Sequence, residues 1–240
     1  TEKAGFLVMK SNFFSSAIMK TSVISKEFKD RYLSNPKHLN AFECKAIVFE
    51  GPEDYHKRLN DKKLKIDENS ILIVRGCGPI GYPGSAEVIN MQPPDRLLKR
   101  GINTLPTLGD GRQSGTSASP SILHVSPESA AGGDLGVVKT YDRIKIDLNK
   151  RRVDLLISQA EFKKRRKNRK KFIINNQTPW QEIFRNTVTQ VDEGACINSR
   201  GKYLDVSHTK VYQETLTNAA KNISFKKNIR FSRGKTSKRV

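Results

Sequence analysis

Apolar residues along this chain come in short runs, each stopped by glycine, proline or a cluster of charge. Cys44-Lys45-Ala46-Ile47-Val48-Phe49-Glu50 ends at Gly51-Pro52, and Ser70-Ile71-Leu72-Ile73-Val74-Arg75 ends at a glycine-rich stretch over 76–84. Short runs rich in β-branched residues predict strands. The second run has no polar alternation, which predicts a strand buried on both faces. Residues 142–148, Asp-Arg-Ile-Lys-Ile-Asp-Leu, alternate strictly and predict a strand with one buried face. Residues 153–157 predict another after the turn Asn149-Lys150, and 17–24 predict one near the start. Helical signals are fewer. Residues 25–36 suit a short helix or loop closed by Asn35-Pro36. Residues 53–60 suit a helix with Glu53 and Asp54 in its first turn. Further helices are expected over 86–91, capped by Gly84-Ser85 and resuming at 95–100 after Pro93-Pro94, and over 127–131. Residues 135–139 read as a strand or short helix, Ser158-Gln159-Ala160-Glu161 as a capping box, and 178–196 as one helix or two short elements. From about 209 onward periodicity is weak and charge high, so no structure is expected there. Many short strands with a few helices predict an α/β domain with a mixed sheet or barrel.

Residues 109–120, Gly-Asp-Gly-Arg-Gln-Ser-Gly-Thr-Ser-Ala-Ser-Pro, stand apart from this pattern. They hold no large apolar side chain, so they cannot be core. Glycine and serine also disfavour a helix interior. Glycines let backbone approach a ligand, and hydroxyls supply donors and acceptors. Short apolar segments flank the stretch on both sides, as expected of a site loop mounted on a rigid scaffold.

The chain has 240 residues, enough for one domain or two, and a formal net charge of +20. Such charge invites a polyanion as partner, nucleic acid or an anionic surface. Its distribution argues otherwise. Residues 161–171 hold eight basic residues against one acidic, and 221–240 hold eight and none, so two local runs carry three quarters of the excess. The first run lacks interleaved aromatics for base stacking, with only Phe162 and Phe172 at its flanks, so nucleic acid is not expected. Three cysteines, Cys44, Cys77 and Cys196, show no paired spacing; a reducing, cytoplasmic compartment is the expectation. No apolar run approaches the roughly 20 residues that span a bilayer, and no secretory signal is visible. The chain opens on Thr1 and reads as a fragment or processed product of something longer.

Several blocks now combine. GDGRQSGTSASPSIL at 109–123, followed by SPESAAGG at 126–133, resembles the signature of the dihydroxy-acid and sugar-acid dehydratase family, in its C-terminal domain. Residues 75–88 (RGCGPIGYPGSAEV), 49–55 (FEGPEDY) and 178–183 (TPWQEI) agree with it and occur in the family's order. The resemblance implies a mixed β-barrel-like swivelling domain flanked by helices, related in architecture to the mobile domain of aconitase. It implies an interdomain lead-in over 1–16 and the swivelling domain over 17–160. A helical extension over 161–208 and a basic tail over 209–240, with no fold of its own, would follow.

The resemblance also assigns chemistry. Dehydration of a 2,3-dihydroxy acid needs a base for the C2 proton and a Lewis acid for the C3 hydroxyl. Serine serves as a base only when a nearby cation stabilises its alkoxide. The family's SGT motif places that serine at Ser114, supported by Thr116; alternatively both hydroxyls simply bond the loop backbone. Its YPG-x-x-E glutamate, a magnesium ligand once the partner domain is present, falls at Glu87, where an oxygen donor suits that hard cation or simply stabilises a helix N-terminus. Arg112 could clamp a substrate carboxylate in bidentate fashion, and Asp110 shares its loop, as a substrate contact or as the partner of Arg112. The amides of Gly76, Gly78, Gly81 and Gly84 could cradle an anion, or simply form a turn. The iron–sulfur cluster would sit in an N-terminal domain this chain does not contain; the scattered cysteines, Cys77 included, lack cluster spacing. His56 and His124 have no spaced partner for zinc and read as structural. The implied activity is a hydro-lyase acting on an aldonate such as arabinonate or xylonate to give a 2-keto-3-deoxy acid. Its partners would be the sugar acid, the N-terminal domain and further copies of the enzyme, with no membrane. The alternatives are a dihydroxy-acid dehydratase of branched-chain amino-acid synthesis, or a basic polyanion-binding module without catalysis.

Overall fold

The computed structural model describes residues 5–84, 87, 90–112 and 120–198. Eight strands close into a barrel: β1 (Phe6–Ser11), β2 (Ser16–Lys20), β3 (Ala41–Glu50), β4 (Ser70–Arg75), β5 (Thr107–Gly109), β6 (Ile122–Ser126), β7 (Arg143–Asp147) and β8 (Arg152–Leu155). The order around the barrel is β1-β2-β6-β5-β4-β3-β7-β8. Parallel pairing joins β3 to β4, β4 to β5 and β5 to β6, and β8 returns parallel to β1. The other four pairs are antiparallel. The mixed barrel expected of this chain is therefore present. Residues 6–11, within the stretch read as a lead-in, form one of its strands.

Alternation along the strands sorts side chains into two cores. Cys44, Ala46 and Val48 of β3 and Ile71 and Ile73 of β4 face the barrel interior, packed with Met9, Met19, Val125, Ile144, Ile146 and Val153. The odd-and-even partners Ile47, Phe49, Leu72 and Val74 face outward into a second core. That core is roofed by Tyr55 of α2 (Pro52–Arg58) and Leu97 of α3 (Asp95–Leu98). The uniform apolar text of β4 thus has its cause: both faces are covered. A third cluster, Phe28, Tyr32 and Leu33, comes from α1 (Lys26–Phe28) and the π-helical turn Lys29–Leu33 that extends it.

Two helix expectations fail. Glu87 and residues 90–94 are not helical, and α3 begins only after Pro94, whose missing N–H suits a helix start. Residues 127–131 form turns, and the next helical residues are a 3₁₀ turn at Asp134–Val137. The reason is local competition: the polar groups of Glu128 and Ser129 are spent on distant loops, as shown below. After β8 the chain forms α4 (Gln159–Lys167), whose Ser158 cap accepts from the amide of Glu161, and α5 (Pro179–Thr187). The tail beyond residue 198 lies outside the described residues.

Strand directions define a rim. The parallel set β3 to β6 ends at one end of the barrel, and the antiparallel partners bring the ends of β1 and β8 to the same end. The loops after residues 75, 109 and 126 all leave from that rim. Carboxyl ends of parallel strands are where open α/β sheets place their ligands.

Candidate functional site

Two buried carboxylates tie the rim loops together. Asp110, fully buried, follows β5 directly. Its Oδ1 accepts from the Cys77 amide at 2.9 Å. Its Oδ2 accepts from the Gly76 amide at 3.0 Å, the Ser129 amide at 2.9 Å and the Ser129 hydroxyl at 2.6 Å. One side chain therefore joins its own loop to one 34 residues earlier and another 19 residues later. Glu128, 1 % exposed, makes the second clamp. Its carboxylate accepts from the amides of Ile80 at 2.8 Å and Gly81 at 2.9 Å, and from Gln190 Nε2 at 3.0 Å. Burial pushes the Glu128 carboxyl above the usual carboxylate range, against the pull of those donors. Gly78 is required here: a Cβ would stand 2.5 Å from a Glu128 oxygen.

The candidate residues divide accordingly. Ser114 and Thr116 lie outside the described residues. Asp110, expected at the substrate or beside Arg112, spends its carboxylate on backbone amides and Ser129. Among the described residues no ion pair joins it to Arg112, which is exposed next in line along the loop. Arg112 lies close enough to His124 to lower the imidazole's pKa, after burial itself. Glu87 is exposed. The amides of Gly76 and Gly81, candidates for cradling an external anion, are turned instead on internal carboxylates. The clamps formed by Glu128 and Ser129 escaped sequence reasoning. Their cue was a carboxylate and a hydroxyl directly after an apolar strand, in a segment of small residues.

The donor set bears on the implied cofactors. As an exposed carboxylate, Glu87 fits a magnesium ion, which takes one or two protein carboxylates and fills its shell from water and substrate. The cysteines do not fit a cluster. Cys44 lies inside the barrel, Cys77 in the outer core and Cys196 at the surface. Burial pushes the first two thiols up, away from the thiolate a cluster needs. Among the described residues no three His, Cys, Asp or Glu side chains gather as a metal site. No helix of the described residues is long and apolar enough to cross a membrane.

The basic run is partly neutralised from within. Arg165 pairs with Asp142 and Glu161, and Arg166 and Arg169 both reach Asp134.

Comparison with known proteins agrees with the rim's motifs. Residues 1–195 match the family model described as dihydroxy-acid/6-phosphogluconate dehydratase, C-terminal. The chain is 57% identical to D-xylonate dehydratase of Caulobacter vibrioides over 206 residues, 86% of this chain and 35% of that protein. It is 41% identical to L-arabinonate dehydratase of Rhizobium leguminosarum bv. trifolii over 166 residues, 69% of this chain and 27% of that protein. It is 33% identical to dihydroxy-acid dehydratase of Thermodesulfovibrio yellowstonii over 199 residues, 82% of this chain and 33% of that protein. The chain spans about a third of the length of these curated relatives.

Proposed function

Because this chain belongs to the dihydroxy-acid/6-phosphogluconate dehydratase family, as its C-terminal domain, we propose that it serves a hydro-lyase that dehydrates a sugar acid. The substrate is an aldonate such as xylonate or arabinonate, and the product a 2-keto-3-deoxy acid. The observation that carries the choice is the higher identity to the D-xylonate relative than to the dihydroxy-acid one.

This chain's part is to present side chains from the rim. Ser114, in its SGT motif, takes the C2 proton, and Thr116 supports it by hydrogen bonding. Arg112, exposed beside the same loop, offers a planar fork for the substrate carboxylate. Glu87 would hold magnesium through one carboxylate oxygen. Asp110 acts from behind, fixing where the loop leaves β5. Magnesium, and an iron–sulfur cluster held by the rest of the enzyme, would supply Lewis acidity toward the substrate oxygens when bound. Loss of the C2 proton and the C3 hydroxyl, together one water, leaves an enol that tautomerises to the keto acid. Precise placement of such groups is worth several orders of magnitude in rate, which is why rigidly clamped loops suit the task.

The test uses the full-length protein that contains this chain, assayed for 2-keto acid formation. D-xylonate and L-arabinonate should be consumed in preference to a branched 2,3-dihydroxy acid. Ser114→Ala should lower kcat by about 10³-fold, the scale of a lost general base. Preference for the branched acid would move the protein to the other branch, and unchanged turnover in Ser114→Ala would remove that serine as base.

A further inference from the structure

We infer that residues 168–192 form a strap that positions the glycine-rich loop 76–84, with Arg185 and Gln190 as its positioning residues. The strap has several anchors. Arg169 Nη1 donates to the Gly133 carbonyl at 3.0 Å and pairs with Asp134 at 3.3 Å. Phe172 lays its ring on Gly76, where a Cβ would stand 2.7 Å from it and where φ is +80°. Arg185 Nε donates to the Ile80 carbonyl at 2.8 Å, and its Nη1 fastens the strap to itself through the Asn175 carbonyl at 3.0 Å. Gln190 grips Glu128 twice: its Nε2 donates to Oε1 at 3.0 Å, and its own Oε1 accepts from the Glu128 amide at 2.8 Å.

The key juxtaposition is at Ile80. Its N–H donates to Glu128, which Gln190 holds, and its carbonyl accepts from Arg185. Both poles of one peptide residue in the loop are thus fixed by the strap, directly or at one remove. The strap does little for the core, since α5 buries none of its residues. A helix that adds nothing to the hydrophobic interior, yet delivers an arginine to a loop carbonyl 105 residues away, is placed to hold that loop. The loop leads into Glu87. The consequence for catalysis rests on the proposed function; the hold on the loop does not.

Amide hydrogen exchange on the 240-residue chain tests it. Arg185→Ala and Gln190→Ala should speed exchange at Ile80 and Gly81 about tenfold or more, with the amides of β3 and β4 unchanged. Arg185→Lys, which keeps one donor, should recover part of the protection. Unchanged exchange over 76–84 overturns the inference. So does acceleration of β3 and β4 in step, or failure of both alanine variants to fold, since either makes the residues merely structural. In the full-length enzyme the same substitutions should lower kcat more than they raise KM, with Arg185→Lys restoring it in part. Should Ser114→Ala keep full turnover, the catalytic reading fails while the exchange result stands.

Discussion

At the scale of single residues, the site region is organised by carboxylates that never reach solvent. A buried carboxylate is costly unless donors surround it, and Asp110 and Glu128 each have theirs. Glu128 makes a pH prediction. Burial raises its folded pKa, so the folded state holds the proton more tightly than the unfolded chain. Its contribution to stability is present below the ordinary carboxylate value, about 4.3, and is lost as pH rises through the raised value. Urea unfolding of the chain and of Glu128→Gln, compared from acid to neutral pH, should show the native advantage shrinking as pH rises. A constant difference would refute it. The sequence made Asp110 visible, because it sits in a loop with no core residues. It did not reveal the role of Asp110. Its partners lie dozens of residues away, and burial is a property of the folded loops. Glu128 was invisible for the same reason, lying in a stretch expected to be a short helix that does not form.

Elements were legible in proportion to how local their causes are. The bounds expected for β4 are those observed, because an unbroken apolar run between a turn and a glycine has one reading. The serine half of the expected box at Ser158 was likewise legible, since its bond spans three residues, while the Glu161 carboxylate turns to Arg165. The helix expected over 86–91 had only a cap signal, and the one over 127–131 lost its polar groups to tertiary bonds. The two-core arrangement makes its own prediction. Ile73→Ala and Leu72→Ala remove fully buried side chains from opposite faces of one strand. Each should cost about 3 kcal/mol in chemical unfolding. On β7, Ile144→Ala should cost a similar amount and Lys145→Ala under about 0.5 kcal/mol, because only Ile144 is buried. A small loss at Leu72 would mean the outer core is not a true second layer.

For the whole molecule, the mixed α/β character could be read from the pattern of the chain, which left sheet and barrel both open; the resemblance pointed to the barrel, and the strand that closes it could not be read locally. The closing contact pairs Lys10 with Arg152 and Ser11 with Val153, and no local pattern announces a partner so far along. Removing residues 1–11 should therefore open the barrel, strip cover from Met19 and Val153, and replace cooperative unfolding with a dye-binding, loosely packed state. Retention of a sharp thermal transition would show that the ring does not need its first strand. Net charge is equally a matter of placement: +20 is a property of the composition, but Arg165, Arg166 and Arg169 are engaged by acids of the same fold.

The direction of β1 has a mechanical corollary. Phe6 starts at the end of the cylinder away from the loops that follow residues 75, 109 and 126. Any polypeptide joined ahead of it grips the domain by its foot. Six residues of extended chain give a lever on the order of 20 Å. A tilt of about 10° at that foot would carry the loops through roughly 3 Å.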